Sequence, residues 1–348
     1  MLYGAAALII LFALRSIGNT VSSLAWIKNL TPFGWIDKLR PFYHAQAIWF
    51  LPLVALTLIC VGLAVYLAGK RDMGDSFIAD SDSAKPRFKL LGSQLGLDFR
   101  LSRNVMAGWL LGSVGFATLI ASIDKTVAKT LSGTGAGKGK LIKTFNNLTG
   151  NPNSRIEIAY LSAAGFLIVT LLLIMVTNFM GTLREEEASG RLDNIISGTT
   201  SRGQWLAERL LLIVGGVALI TLISDLVVWA VAGAQGINVS FPTMVFGGLN
   251  ILGPVMLLLG LGVLLYGLMP KLTVYVMYAI IAWSFTIDVI AAALKLGKTL
   301  GETSLLHYVS FVPAASPNWR TFSILSLLGV AGICCGVIAF ERRDTQSE

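Results

Sequence analysis

Of the 348 residues in this chain only 13% are charged and 55% are hydrophobic, and the mean hydropathy is +0.73. Soluble chains carry about 25% charged residues, so the composition excludes an ordinary soluble globular domain and points to an integral membrane protein. The net charge of +8 comes from Lys and Arg in loops between apolar runs, with no basic domain to hold a nucleic-acid duplex; such residues meet anionic lipid headgroups instead.

Positions 2–14 open apolar without the basic leader of a signal peptide. A bilayer crossing takes about 20 residues, so this first span is full length only if Arg15 and its successors lie at an interface. Positions 22–46 are polar and aromatic: Trp26, Trp35, Phe42, Tyr43 and the nearby Trp49 suit a headgroup-level belt, and Pro32 and Pro41 interrupt any long helix. A second span, 48–67, ends at Lys70-Arg71-Asp72. Residues 70–104 are a soluble insertion with seven Lys/Arg and five Asp. Its first half reads as flexible linker. Its second half, LGSQLGLDFRLSR, sets Leu95 and Phe99 on one side, as an interfacial amphipathic helix would, and leads into a third span at 105–123.

A basic, Gly- and Asn-rich loop, 124–155, follows. Spans four (158–183) and five (210–234) flank a charged connection at 184–209. Span six, 244–268, turns tightly at Pro270-Lys271 into span seven, 272–294, and a polar connection at 296–320 leads to span eight, 322–340. The expected fold is therefore all-α, a polytopic membrane protein of about eight transmembrane helices.

The two ends of the chain share a punctuation. Thr31-Pro32-Phe33-Gly34-Trp35 before a span and Arg71-Asp72 after it mirror Ser316-Pro317-Asn318-Trp319 and Arg343-Asp344. Repeated halves are common in transporters. The expected organisation is 1–72 as the last two spans of a first half, 73–104 as linker and interfacial helix, and 105–348 as a complete six-span half. Met1 would then be an internal start, a mis-called start or the start of a split subunit.

The 184–209 connection has its own grammar. Glu185, Glu186 and Glu187 carry the incoming helix into water, and Gly190 is a natural helix stop. Leu192, Ile195 and Ile196 recur at the spacing of one helical face, so a short amphipathic helix would carry an apolar stripe. Ser201 and Gln204 have capping-box spacing and start the next helix before Trp205, an expected interfacial anchor. A solvated loop is the plainer alternative; the stripe and abrupt caps favour a docking element.

Arg184-Glu185-Glu186-Glu187, Gly190-Arg191-Leu192 and Ser201-Arg202-Gly203-Gln204-Trp205 together resemble the cytoplasmic connection of type-2 ABC exporter permeases, and among them the actinobacterial polyketide-antibiotic exporter permeases. Asp193 stands where that family usually has Glu. The resemblance implies an exporter of an amphipathic antibiotic, drug or lipid-like compound. It also implies coupling to a separate ATPase subunit, in two copies, that binds ATP and Mg while this chain binds no cofactor itself. The coupling residues would be Arg184, Glu185, Glu186, Glu187, Gly190, Arg191, Leu192, Asp193, Ile195, Ile196, Ser201 and Arg202, with the three apolar ones as anchor. A second permease chain would supply missing spans if the first half is incomplete.

Short basic segments at Lys70-Arg71, Arg184, Lys271 and Arg342-Arg343 mark one side, and the 235–242 connection opposite has no charge, although the 124–155 loop carries six bases. With the resemblance, this places both termini in the cytoplasm of a plasma-membrane protein.

Enzymatic motifs are not found. SGTGAGKGK at 132–140 lacks the first Gly and the final Ser/Thr of a phosphate-binding loop. His44 and His307 have no ligand cluster beside them, and Cys60, Cys334 and Cys335 fall within apolar spans as packing residues, so neither a metal site nor a disulfide is expected. Three polar residues inside spans are candidates for a transport path: Asp225, Asp288 and Asn178. The alternatives are an interfacial Asp288, an Asp225 bonded to a Ser or Thr of a neighbouring helix, and Asn178 as interhelical glue; Gly260 and Gly262 permit close helix packing. A proton-coupled secondary carrier using Asp225 and Asp288, or a truncated non-transporting fragment, are the competing functions.

Overall fold

The computed structural model describes residues 26–39, 46–69, 93–131, 151, 155–192, 201–294 and 298–343, with isolated positions between 7 and 18 and position 143. The expected first span, the 73–92 linker, the phosphate-loop look-alike at 132–140, His44, Asp193, Ile195 and Ile196 therefore lie wholly or largely outside the described residues. Cα packing divides the chain into two compact units, Met1–Lys89 and Leu90–Glu348.

In the first unit a short helix α1 (Pro32–Leu39) precedes α2 (Phe50–Gly69). Pro32 sits at the start of α1, where its missing N–H costs nothing. Asp37 on α1 pairs with Arg15 at 2.7 Å, and Lys38 Nζ lies 4.1 Å above the Trp49 ring.

The second unit is built from α3 (Gln94–Leu131), α4 (Ile156–Ala188), α5 (Arg202–Ala234), α6 (Phe241–Leu268), α7 (Thr273–Leu294) and α8 (Trp319–Arg342). Seven described helices, α2 to α8, are long and apolar enough to cross a membrane. The separate interfacial helix expected before the third span is instead the opening of α3. Nothing between Gln94 and Asn104 breaks a helix, so the two run on as one 38-residue element, about 57 Å long.

α4 is the centre of the unit and packs against α3, α6 and α7. It is apolar on every side, which suits a helix covered all round, and Val169, Leu172, Leu173, Met175, Val176 and Met180 are fully buried in it. α6 and α8 form the closest pair. A Cβ at Gly260 would strike the backbone of Gly329, one at Gly336 the backbone around Val263, and one at Gly267 the carbonyl of Gly336. Lipid gives helices no hydrophobic reason to associate, so such bare backbone contact supplies the van der Waals packing that holds them. Gly262 faces the other way, against Met277 of α7 and Met180 of α4.

At the end of the unit away from the 184–209 connection, the segment before α8 folds back into the core with Leu306 fully buried and Phe311 nearly so. Ser162 of α4 accepts from the backbone N–H of Ala314 at 2.8 Å, and Asn151 donates to the Ala314 carbonyl at 2.8 Å. Asn318 caps α8 by accepting from Thr321 N–H at 3.1 Å, while Asn250 of α6 donates to the Asn318 carbonyl at 3.2 Å.

Candidate functional site

The ends of α4 and α5 that bracket the connection are set by local chemistry. α4 stops at Ala188; Ser189 N–H donates to the Glu185 carbonyl, Gly190 N–H to that of Glu187, and Gly190 adopts φ 69°, a left-handed turn that glycine takes without strain. α5 starts at Ser201, whose Oγ accepts from Gln204 N–H at 3.2 Å. Half of the expected capping box is made. The Gln204 side chain does not return to Ser201 but donates forward to Glu208 at 2.9 Å.

Beneath this turn lies a buried ionic cluster. Arg209, one turn beyond Trp205 on α5, donates through Nη2 to both oxygens of Glu186 at 2.7 and 3.0 Å, and its Nε lies 3.1 Å from Asp98 Oδ2. Gln94 donates to the other Asp98 oxygen at 3.0 Å. The Arg209 side chain is 7% exposed and that of Asp98 0%. One guanidinium thus joins the beginnings of α3 and α5 to the end of α4. Its planar fork fits two carboxylates at once, as a lysine ammonium could not.

A second junction adds α8. Arg343 pairs with the buried Glu187, and Arg202 donates to the Arg343 carbonyl at 3.0 Å. Gly203 lies so close to the Glu341 carboxylate that a Cβ there would collide with it. Trp205 is fully buried, 6.1 Å from the Phe340 ring, which in turn stacks on Tyr266 at 5.2 Å. Trp205 is thus a core residue joining α5 to α8 and not the interfacial anchor expected from its place at a span end. Arg184 reaches sideways to the Lys271 carbonyl at 3.0 Å, tying the α6–α7 turn to the same end.

The residues expected to face a partner therefore divide. Glu186, Glu187 and Leu192 are turned into this chain: the two carboxylates are ion-paired and Leu192 is fully buried. Glu185, Arg191 and Ser201 are exposed, with Gln204 beside them. Asp98, Arg209 and Arg343 complete the cluster and were not picked out from the sequence. The available signal was Arg209 itself, a charge set among leucines two turns into an apolar helix, which calls for a buried partner.

The three intramembrane polar residues fare differently. Asn178 is exposed and donates to the Ile174 carbonyl of its own helix at 3.2 Å, so it does not bridge helices; it lines an open groove with Trp109, Tyr275, Arg184 and Glu185. Asp288 receives a hydrogen bond from Ser304, whose neighbour Leu305 N–H donates to Ser284 Oγ at 3.0 Å. Asp225 is buried, and its Oδ2 has no hydrogen-bond partner among the described residues. The expected bond to a Ser or Thr of a neighbouring helix is not made by this oxygen among the described residues, nor do the hydroxyls of its own helix supply one. Thr221 donates to the Val217 carbonyl at 2.8 Å, and Ser224 Oγ has no partner among the described residues.

Residues 91–341 match the family described as the C-terminal domain of the multidrug efflux system permease Rv1217c. The multidrug efflux system permease protein Rv1217c of Mycobacterium tuberculosis (strain ATCC 25618 / H37Rv) is 28% identical over 348 residues, which takes in 96% of this chain and 60% of that relative. The chain thus spans about three fifths of the length of the curated relative it matches. The matched region is the second compact unit almost residue for residue, and it agrees with the exporter-permease resemblance carried by the 184–209 connection.

Proposed function

The chain belongs to the family of multidrug efflux permease C-terminal domains, and from that premise we propose that it is the membrane-spanning part of an ATP-driven exporter of amphipathic compounds in the plasma membrane. The helix end bearing Gly190 and Ser201 faces the cytoplasm and a separate ATPase subunit, which binds ATP and Mg. The observation that carries this reading is the Asp98–Arg209–Glu186 cluster: it lies directly under the connection and grips three spans. A displacement of the connection by a partner cannot stay local. It is passed to α3, α4 and α5 together, and through Glu187–Arg343 to α8.

Docking then falls to the exposed Glu185, Arg191 and Ser201, while the paired residues transmit. The carrier reading is less well supported, because Asp288 is engaged by Ser304 and does not line the cavity that holds Asp225. The test is co-purification of the chain in detergent with a candidate ABC ATPase subunit from the same organism, comparing wild type with a Glu185→Arg/Arg191→Glu double variant, which leaves the buried cluster intact. Loss of ATPase recovery from a folded variant supports docking at this turn. Equal recovery places docking elsewhere, and no recovery even with wild type overturns the exporter reading.

A further inference from the structure

A groove with room of about 700 Å³ lies between α3, α4 and α7, at the end of the second unit that carries the 184–209 connection. Sites for small molecules commonly hold about 300–1,000 Å³. Its floor is one face of α4: Asn178, Thr182 and Glu185 follow at spacings of four and three residues and so stand in line over about 10 Å. Trp109 of α3 and Tyr275 of α7 stand on its two flanks, and Tyr275 is 69% exposed. The charged groups sit at the water end. Arg184 donates through one nitrogen to the Lys271 carbonyl, which fixes the guanidinium and leaves its other donors without a partner among the described residues. Glu185 is exposed and makes no ion pair among the described residues. Two turns deeper, Asn178 is exposed to the groove, and its amide bonds only the Ile174 carbonyl.

The polar layer on each side of a bilayer is about 5–8 Å deep. A stripe of about 10 Å that starts at Glu185 therefore runs from headgroup level to the level of the lipid ester groups, and Trp109 and Tyr275 are of the type that settles at that layer. An amide facing pure hydrocarbon there would go unsatisfied, whereas an ester carbonyl accepts its remaining N–H. We propose that this groove binds one phospholipid of the adjoining leaflet, a phosphatidylethanolamine. Arg184 takes the phosphate, Glu185 the primary ammonium and Asn178 an ester carbonyl, while the acyl chains continue into the bilayer from the open side. Charge complementarity selects this occupant. A phosphatidylglycerol would lay a net negative charge beside Glu185, and the methylated nitrogen of a choline headgroup has no hydrogen to donate to that carboxylate. The lipid would touch α3, α4 and α7 together, beside the ionic cluster that ties the spans.

The test is native mass spectrometry of the purified, delipidated chain titrated with dioleoyl phosphatidylethanolamine, phosphatidylcholine or phosphatidylglycerol. Wild type is expected to bind its first phosphatidylethanolamine about tenfold more tightly than either other lipid, the worth of one hydrogen bond to a charged group. Glu185→Gln keeps the shape of an exposed, unpaired side chain and so is expected to fold as wild type does. In it the affinity for phosphatidylethanolamine should fall to within about twofold of that for phosphatidylcholine, which stays unchanged. Asn178→Leu removes the amide at the deep end and should weaken all three lipids by about fivefold. Equal binding of the three lipids by wild type, tighter binding of phosphatidylglycerol, a preference that survives Glu185→Gln, or unchanged binding in Asn178→Leu overturns the proposal. So does the absence of any bound lipid, which would give the groove to a protein segment. Neither ATP nor an ATPase is present, so the outcome is separate from the exporter reading, whose failure shows in the co-purification above.

Discussion

Replacing Arg209 with methionine keeps the length and much of the apolar stem of the side chain but removes the charge that holds Asp98 and Glu186. Both carboxylates would stay where the packing of α3 and α4 puts them, 0% and 16% exposed, facing each other without a cation. Removing one partner of a buried ionic set typically costs about 3–5 kcal/mol, because the remaining charge has lost its solvation and its partner together. For a unit of this size each kcal/mol moves the midpoint by roughly 2–4 °C, so the variant should melt about 10 °C below wild type in fluorescence-monitored thermal unfolding of the detergent-solubilised chain. The triple variant Asp98→Asn/Glu186→Gln/Arg209→Met removes all three charges of the cluster and should recover most of that loss. An Arg209→Met midpoint within about 2 °C of wild type would refute the reasoning, since it would mean that water reaches the cluster and solvates both carboxylates.

Two further outcomes are expected. Ser201→Ala removes the cap at the start of α5, costs about 1 kcal/mol, and should show as faster hydrogen exchange confined to the first turn of α5. Gly329→Leu forces a side chain into the backbone of α6 near Met256, with a cost of about 1–3 kcal/mol or more from overpacking; it should lower the yield of monodisperse protein in size-exclusion chromatography, whereas Leu327→Ala on the exposed face of the same helix should not.

Much of the helix layout was legible because its signals are local. Gly190 ends α4 through its own backbone conformation and Ser201 starts α5 through its own hydroxyl, so neither needs knowledge of the rest of the chain. The span lengths follow in the same way from uninterrupted apolar runs. What failed did so for one reason: hydrophobicity says that a residue leaves water and not whether lipid or protein receives it. Trp205 at a span end reads as an interfacial anchor, yet Phe340, 135 positions later, is its neighbour. The Glu186–Arg209 pair was within reach at a separation of 23 residues, but Asp98 lies 111 positions from Arg209, and no periodicity connects them. Leu192 looked like a free anchor since its stripe could be drawn, while in the fold it is fully buried in the hydrophobic core. Likewise α3 could be composed correctly from its parts, an amphipathic start and an apolar run, without revealing that they form a single rod.

The seam between α6 and α8 bears on a different demand, that a transporter must not leak. Where Gly260, Gly267, Gly329, Gly332 and Gly336 meet, peptide lies on peptide, with only the Ala339 methyl beside Gly267 and no bulky side chains at these contacts. An acyl chain or a file of water molecules needs a gap of at least its own width, and this line of contact offers none over about two helical turns. The pair closes that seam: on the proposed exporter reading, whatever the protein moves goes by another wall.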